Sequence, residues 1–250
     1  MRSEQVILVT GSCRGIGATL VEQFARAGHR VILNYAHADA EAATLYERLA
    51  GEVGRDRILK IKASVARRVD VQGMFAQAVE RFGRVDALVN NAGLNLDGPF
   101  RTMTDEQWER VLGTNLTGPF LCAQEFARHF SGEVGHIVNI SAATAVHGRV
   151  NGANYCSSKA GVIALTKCLA LELAPAIRVN CVFPGRVRTE EVMTRLNLHD
   201  PATYEASVKA IPLGRLGEPE DICRMIRFLI EESDYITGQN FFVNGGLFMH

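Results

Sequence analysis

The stretch from Val6 to Gly17 constrains this chain more than any other. Val6-Ile7-Leu8-Val9-Thr10 is a short, unbroken apolar run rich in β-branched residues, the pattern of a strand buried on both faces. It runs directly into Gly11-Ser12-Cys13-Arg14-Gly15-Ile16-Gly17, and a helical stretch over 18–27 follows, closed by Gly28. Strand, glycine turn and helix in that order form a phosphate cradle. The glycines let the backbone turn sharply and approach a pyrophosphate, and the helix N-terminus supplies free N–H groups and a positive dipole end. The spacing is GxxxGxG, not the GxGxxG of the common dinucleotide fingerprint.

The second strand, Arg30–Tyr35, ends where an NAD site usually carries a carboxylate for the adenosine ribose. This chain places Asn34, Tyr35, Ala36 and His37 there, with no carboxylate before Asp39. Nothing at that point repels a 2′-phosphate, and Arg14 inside the glycine loop is placed to hold one, with His37 a possible second contact. The expected cofactor is therefore NADPH.

The alternation continues to the end of the chain. Helices are expected over 38–50 and 69–81, and strands over 58–62 and 87–89, the latter running into Asn90-Asn91-Ala92-Gly93. Residues 108–125 read mainly as one long helix holding Asn115, although Gly118-Pro119 interrupts its pattern. Strands follow at 136–141 and 178–183, a helix at 219–231 and a last strand at Asn240–Val243. The looser stretch 186–213 reads as an insertion of short helices, a lid over the substrate. No break or repeat divides the chain, so residues 1–250 are expected to form one domain. The expected fold is α/β, a doubly wound parallel sheet of about seven strands with helices on both faces. Its ligand crevice lies at the strands' carboxyl ends, where Gly11, Asn91, Ser141 and Pro184 fall.

Between the fifth and sixth strands lies Asn154-Tyr155-Cys156-Ser157-Ser158-Lys159, at the start of an apolar helical run. Positions i and i+4 share a helix face, so the Tyr155 phenol and the Lys159 ammonium are expected to point into one pocket. A free tyrosine has a pKa of roughly 10. A fixed cation nearby lowers it and makes the phenol a usable acid or base.

Composition excludes several other classes. Lys plus Arg equals Asp plus Glu at 27 each, with no long basic run, so nucleic acid is not an expected partner. The apolar run Val6–Val9 is too short for a signal peptide or a membrane span. The six cysteines (13, 122, 156, 168, 181, 223) lack CxxC or paired histidine spacing, which reads as reduced thiols in a cytoplasmic protein with no metal site.

Taken together, Thr10-Gly-Ser-Cys-Arg-Gly-Ile-Gly17, Asn90-Asn-Ala-Gly93, Asn115, Tyr155-xxx-Lys159 and Pro184-Gly185 resemble the short-chain dehydrogenase/reductase family along nearly the whole chain. Within it, Ile211-Pro-Leu-Gly-Arg-Leu-Gly-Glu-Pro-Glu-Asp221, Ile236-Thr-Gly-Gln239 and Val243-Asn-Gly-Gly246 are most similar to 3-oxoacyl-[acyl-carrier-protein] reductases. The resemblance implies a Rossmann-type fold and an NADPH-dependent reduction of a ketone, such as a 3-oxoacyl thioester carried on acyl carrier protein or a polyketide-like carbonyl. Tyr155 would protonate the ketone oxygen. Lys159 would hold the nicotinamide ribose and depress the tyrosine pKa, and Asn115 would hold a water for proton resupply. Asn91, Ala92 and Gly93 would line the cofactor, and Pro184, Gly185, Val187 and Thr189 would enclose its nicotinamide. A homotetramer packed through the long helices and the C-terminal strand is implied as well. Arg186, Arg188 and Arg195 are candidates for a carrier-protein patch, set against a plain solvated loop.

Two positions depart from the family. Its adenine-contacting Asp falls at Ser64, leaving Val65 packing and the backbone to hold the ring. Its catalytic serine, thirteen residues before the tyrosine, falls at Ala142. Ser141 or Thr144 is expected to stand in, or the site is attenuated. The alternatives are a weakly catalytic cofactor-binding partner in a hetero-oligomer and a secondary-alcohol dehydrogenase running the same chemistry in reverse.

Overall fold

The computed structural model describes residues 4–249. Seven strands form one sheet: β1 (Val6–Val9), β2 (Arg30–Tyr35), β3 (Ile58–Lys62), β4 (Ala87–Asn90), β5 (Gly135–Ile140), β6 (Ile177–Pro184) and β7 (Asn240–Val243). All pairs are parallel, in the order β3-β2-β1-β4-β5-β6-β7. The order reverses between β1 and β4, so the chains leaving those two strands diverge and open a crevice at their carboxyl ends.

The connecting helices are α1 (Gly15–Arg26), α2 (Asp39–Val53), α3 (Arg68–Phe82), α4 (Asp105–Leu112) and α5 (Gly118–His129). After them come α6 (Thr144–His147), α7 (Ala153–Leu173), α8 (Glu190–Arg195), α9 (Pro201–Lys209) and α10 (Pro219–Arg227). Strand alternation explains why both faces are covered. Ile7, Val9, Val31, Leu33 and Val89 pack with Leu20, Phe24, Leu45 and Ile222 on one face of the sheet. Their neighbours Val6, Leu8, Ile32 and Leu88 pack with Met74, Phe75, Leu121 and Phe126 on the other. A strand apolar at every position has no solvent face, so each crossover helix must cover one side.

The stretch read as one helix over 108–125 is helical without interruption from Asp105 to His129, with α4 and α5 joined through a widened π-helical turn at Gly113–Thr117. Pro119 follows that turn directly: it has no N–H to donate to the preceding turn, which the π-helical widening accommodates. Gly118 lies under Val65, whose Cγ2 would be 2.8 Å from any added Cβ, so the turn sits against the end of β3. The short helix α6 was not anticipated by the hydrophobic pattern.

A buried amide chain fixes α7 on the sheet. Asn90 Nδ2 donates to Asn139 Oδ1 at 2.8 Å, and Asn139 Nδ2 donates to Thr166 Oγ1 at 2.9 Å. Satisfied networks of this kind set one register for the helix they hold. No helix among the described residues is long and apolar enough to cross a membrane.

Candidate active site

The glycine loop between β1 and α1 is built for close approach. Gly11 has φ +60°, and a Cβ there would lie 2.8 Å from Ala92 Cα. At Gly17 it would lie 2.5 Å from Asn91 Nδ2 and 2.7 Å from Gly11 O. Asn91 Nδ2 donates to Thr10 O and Gly11 O, each at 2.9 Å, while Thr10 Oγ1 accepts the N–H groups of Asn91 and Ala92. The end of β4 is thus stitched to the loop. Cys13, Gly15 and Ile16 complete the turn, Arg14 projects to solvent, and the Thr189 methyl would be 3.2 Å from a Cβ at Gly15. The first N–H groups of α1 lack carbonyl partners within the helix and face the space where a phosphate would sit.

Three of the expected cofactor contacts have their side chains buried within the fold. Ser12 is fully buried, and its hydroxyl donates to Asn34 O at 3.4 Å. Asn34 is 1% exposed: its Oδ1 accepts from Gly11 N at 3.2 Å and its Nδ2 donates to Ala63 O at 2.9 Å. Tyr35 is buried too. These residues hold the loop from beneath, because a strand end enclosed by both neighbours turns its amides inward. Ala36 and His37 do reach the surface, lining a groove of about 520 Å³ with Asp39, Lys62, Ala63, Ser64, Arg67 and Asp70. The Ser64 N–H donates to the Asp70 carboxylate at 3.1 Å, and Val65 is packed away in the core. Lys62 Nζ donates to Asp39 Oδ2 at 2.7 Å, and this ammonium holds the Asp39 carboxyl below its usual range. Lys62 and Arg67 escaped the sequence reading. For Lys62 the signal was the β2–β3 register, which sets it opposite Tyr35.

The catalytic candidates converge beside this cradle. A Cβ on Gly93 would stand 3.8 Å from Asn115 Oδ1 and 3.9 Å from Lys159 Nζ. Lys159 Nζ donates to Ile140 O at 2.7 Å, at the carboxyl end of β5. The helix bearing Tyr155 and Lys159 comes close because Gly161 abuts Leu116 of the π-helical turn, where an added Cβ would meet Cδ2 at 2.7 Å. Asn115 has no exposed surface: its Oδ1 accepts from Leu94 N, and its Nδ2 donates to Leu94 O and Ser158 Oγ. Its side chain is therefore spent on bracing the loop after β4.

Electrostatics differ from the simple expectation for a Tyr–Lys pair. Burial pushes the Tyr155 phenol up to about 12, against the opposing pull of Arg149 and Arg195. Burial likewise lowers the Lys159 ammonium to about 8. Lys159 Nζ lies 6.0 Å from the Tyr155 ring centroid, with its hydrogen bond directed at the backbone, so desolvation dominates. The expected depression of the tyrosine pKa is absent. Arg149 is nearer, its guanidinium 4.6 Å from the ring centroid. The sequence reading passed over it, since a lone Arg in a loop carries no motif.

At the missing serine, Ala142 stands half-buried after β5. The Ser141 hydroxyl, offered as its replacement, is 2% exposed and donates to Lys159 O at 2.9 Å. Thr144 begins α6 with its hydroxyl buried and unpartnered among the described residues.

Pro184 and Gly185 leave β6, and Gly185 lies against Asn244 with no room for a side chain. Val187 is buried, and Thr189 caps α8 by accepting from Val192 N at 3.3 Å. The stretch 186–213 contains α8 and α9, folded on a small core of Leu198, Ile211 and Leu216. The three arginines offered as a carrier-protein patch are each engaged internally. Arg186 binds Ser207, Arg188 pairs with Glu218 at 3.1 Å, and Arg195 pairs with Glu191 at 2.7 Å. They form no free basic cluster.

A glycine loop at the switch point of a parallel sheet, with a Tyr–Lys pair at a nearby strand end, is the arrangement of an oxidoreductase. The chain belongs to the short-chain dehydrogenase/reductase family. The family model described as enoyl-(acyl carrier protein) reductase matches residues 11–248. A 3-oxoacyl-[acyl-carrier-protein] reductase of Synechocystis sp. is 38% identical over 98% of this chain and 97% of its own. A subunit of (2S)-[(R)-hydroxy(phenyl)methyl]succinyl-CoA dehydrogenase of Thauera aromatica is 38% identical over 97% of this chain and 96% of its own. Among solved structures, a variant short-chain dehydrogenase/reductase of Serratia marcescens superposes with a TM-score of 0.88, at 32% identity and 97% coverage of both chains.

Proposed function

We propose that the protein is an NADPH-dependent reductase of 3-oxoacyl thioesters, with Tyr155 as the proton donor. One observation carries the reading: Lys159, Asn115 and Gly93 meet beside the glycine cradle, at the strand end that turns into the Tyr155 helix. The relatives named as 3-oxoacyl-[acyl-carrier-protein] and acyl-CoA oxidoreductases support a thioester substrate.

The residues present fit the cofactor. Gly11 and Gly17 let the loop close onto Ala92 and Asn91 where a Cβ would clash, and Gly15 takes a left-handed φ, so the loop they shape leaves its backbone N–H groups for a pyrophosphate. Arg14, exposed in the glycine loop, would supply positive charge for a 2′-phosphate, while Lys62 and Arg67 in the adjoining groove are paired with Asp39 and Asp70. Ala92, Gly93, Pro184, Gly185, Val187 and Thr189 would flank the nicotinamide half. The bound nicotinamide supplies the hydride for the carbonyl carbon. Tyr155, held protonated by burial, donates its phenolic proton to the carbonyl oxygen as charge develops there. Lys159 stabilises the phenolate left behind. With the Asn115 side chain spent on Leu94 and Ser158, a resupply water at this point would rest on the backbone of the π-helical turn. The stretch 186–213 acts as the lid of a single domain spanning the chain, in a cytoplasmic enzyme.

Ala142 favours a second reading, a weakly catalytic subunit that binds cofactor beside an active partner. Ala142→Ser separates the two. Under the reductase reading with an attenuated site, restoring the hydroxyl raises kcat on acetoacetyl thioester by about 10²-fold. If neither the wild type nor this variant oxidises NADPH with the thioester present, the second reading stands.

A further inference from the structure

The Tyr155 site contains a second built-in cation. Arg149 precedes α7, and its side chain is 17% exposed, although surrounding loop residues such as Val150 are open to solvent. Its Nη2 donates to Asn95 Oδ1 and to Asp97 Oδ1, both at 2.6 Å. Its guanidinium lies 4.6 Å from the Tyr155 ring centroid, nearer than the 6.0 Å of Lys159 Nζ.

The seat for this side chain is specific. A Cβ on Gly152 would come within 2.6 Å of both Arg149 Cγ and Nε. Gly152 has φ −109°, which other residues adopt readily, so the glycine serves the arginine's stem rather than a turn. Arg149 Nε is buried without a partner among the described residues. Leaving a buried donor unpaired carries a cost that an ordinary surface ion pair does not incur.

Titratable groups face the phenol from three elements, and Arg149 itself pairs with Asp97. Arg149 approaches from the loop before α7, Lys159 and Cys156 from α7 itself, and Arg195 and Glu191 from α8. Asn95 joins them by accepting from Arg149 and donating to Glu191 Oε1 at 3.1 Å, while Glu191 accepts from Arg195. Arg149 has its cation against the ring face, where it attracts the π electrons of the phenol and the full charge of the phenolate more strongly.

We propose that Arg149 is a positioning residue for Tyr155, clamping its ring and favouring the phenolate in a site whose serine position holds Ala142. This rests on the reading of Tyr155 as the proton donor. The proton leaves Tyr155 for the substrate oxygen, and Arg149 gives up nothing; it stabilises the charge that remains.

The test is fluorine NMR of protein carrying difluorotyrosine, whose phenol ionises at lower pH than that of tyrosine. The Tyr155 resonance is assigned through Tyr155→Phe, and folding is followed by circular dichroism. Arg149→Met is expected to raise the ionisation midpoint at position 155 by about one pH unit. Arg149→Lys, which keeps the charge, should recover part of that shift. Gly152→Ala, which displaces the stem and leaves the arginine in the chain, should move the midpoint in the same direction as Arg149→Met. An unchanged midpoint in folded Arg149→Met or folded Gly152→Ala overturns the proposal. Because the readout needs no turnover, a wild-type protein that reduces no ketone would overturn the reductase reading and leave this result standing.

Discussion

Gly17 leaves no room for one methyl group, since an added Cβ would meet Asn91 Nδ2 and the Gly11 carbonyl inside 3 Å. Gly17→Ala should therefore cost about 1–3 kcal/mol of stability through overpacking and weaken NADPH binding in a fluorescence titration. Unchanged affinity would mean that the cradle does not contact the cofactor. At this scale, residue types were easier to read than their orientations. The glycines were legible because the missing side chain is itself the function. Ser12 and Asn34 were read as ligand contacts, but a sequence shows a polar group without showing where its side chain points. Buried between β1, β2 and β3, their hydrogen-bonding capacity goes to backbone groups. Ser141 was offered as a donor for the same reason and is spent on Lys159 O.

Elements are held by a few polar anchors at their ends. The N-terminus of α10 is the clearest: the Asp221 carboxylate accepts from Glu218 N at 2.8 Å, takes Arg215 at 2.6 Å and also pairs with Arg224. The Arg215 hydrogen bond is the chief cause holding the Asp221 carboxyl far below its usual range. A depressed folded-state pKa stabilises above the unfolded value of roughly 3.9 and is lost as pH falls through the folded value. Asp221→Asn should therefore cost about 1–2 kcal/mol in urea denaturation at neutral pH, with the difference shrinking only in strong acid. A difference that stays constant through acid would remove the charge from the explanation. Strand positions were legible because parallel strands are apolar at every residue. The irregularity in the long helix was visible only as Gly118-Pro119, and the π-helical turn that carries Asn115 packs against Val65 and Gly161, which are distant in sequence.

On the scale of the whole molecule, the doubly wound sheet was legible from the unbroken alternation of strand and helix, because each two-faced strand demands cover on both sides. Assembly was not, because an apolar helix face reads alike in a core and in an interface. Trp108, Phe120 and Leu171 remain partly or largely exposed on α4, α5 and α7, the surfaces through which the homotetramer implied by the family resemblance would pack. Light scattering is expected to give four times the 27.4 kDa of one chain, and a monomer at micromolar concentration would refute it. The central claim is that Tyr155 delivers the proton in an NADPH-dependent ketone reduction, and a single-turnover assay tests it most directly. Wild-type protein, NADPH and acetoacetyl thioester should yield the 3-hydroxyacyl product. Tyr155→Phe should bind NADPH with unchanged affinity and form that product about 10²- to 10⁴-fold more slowly. Equal rates in the two proteins, or no product from either, would contradict the account.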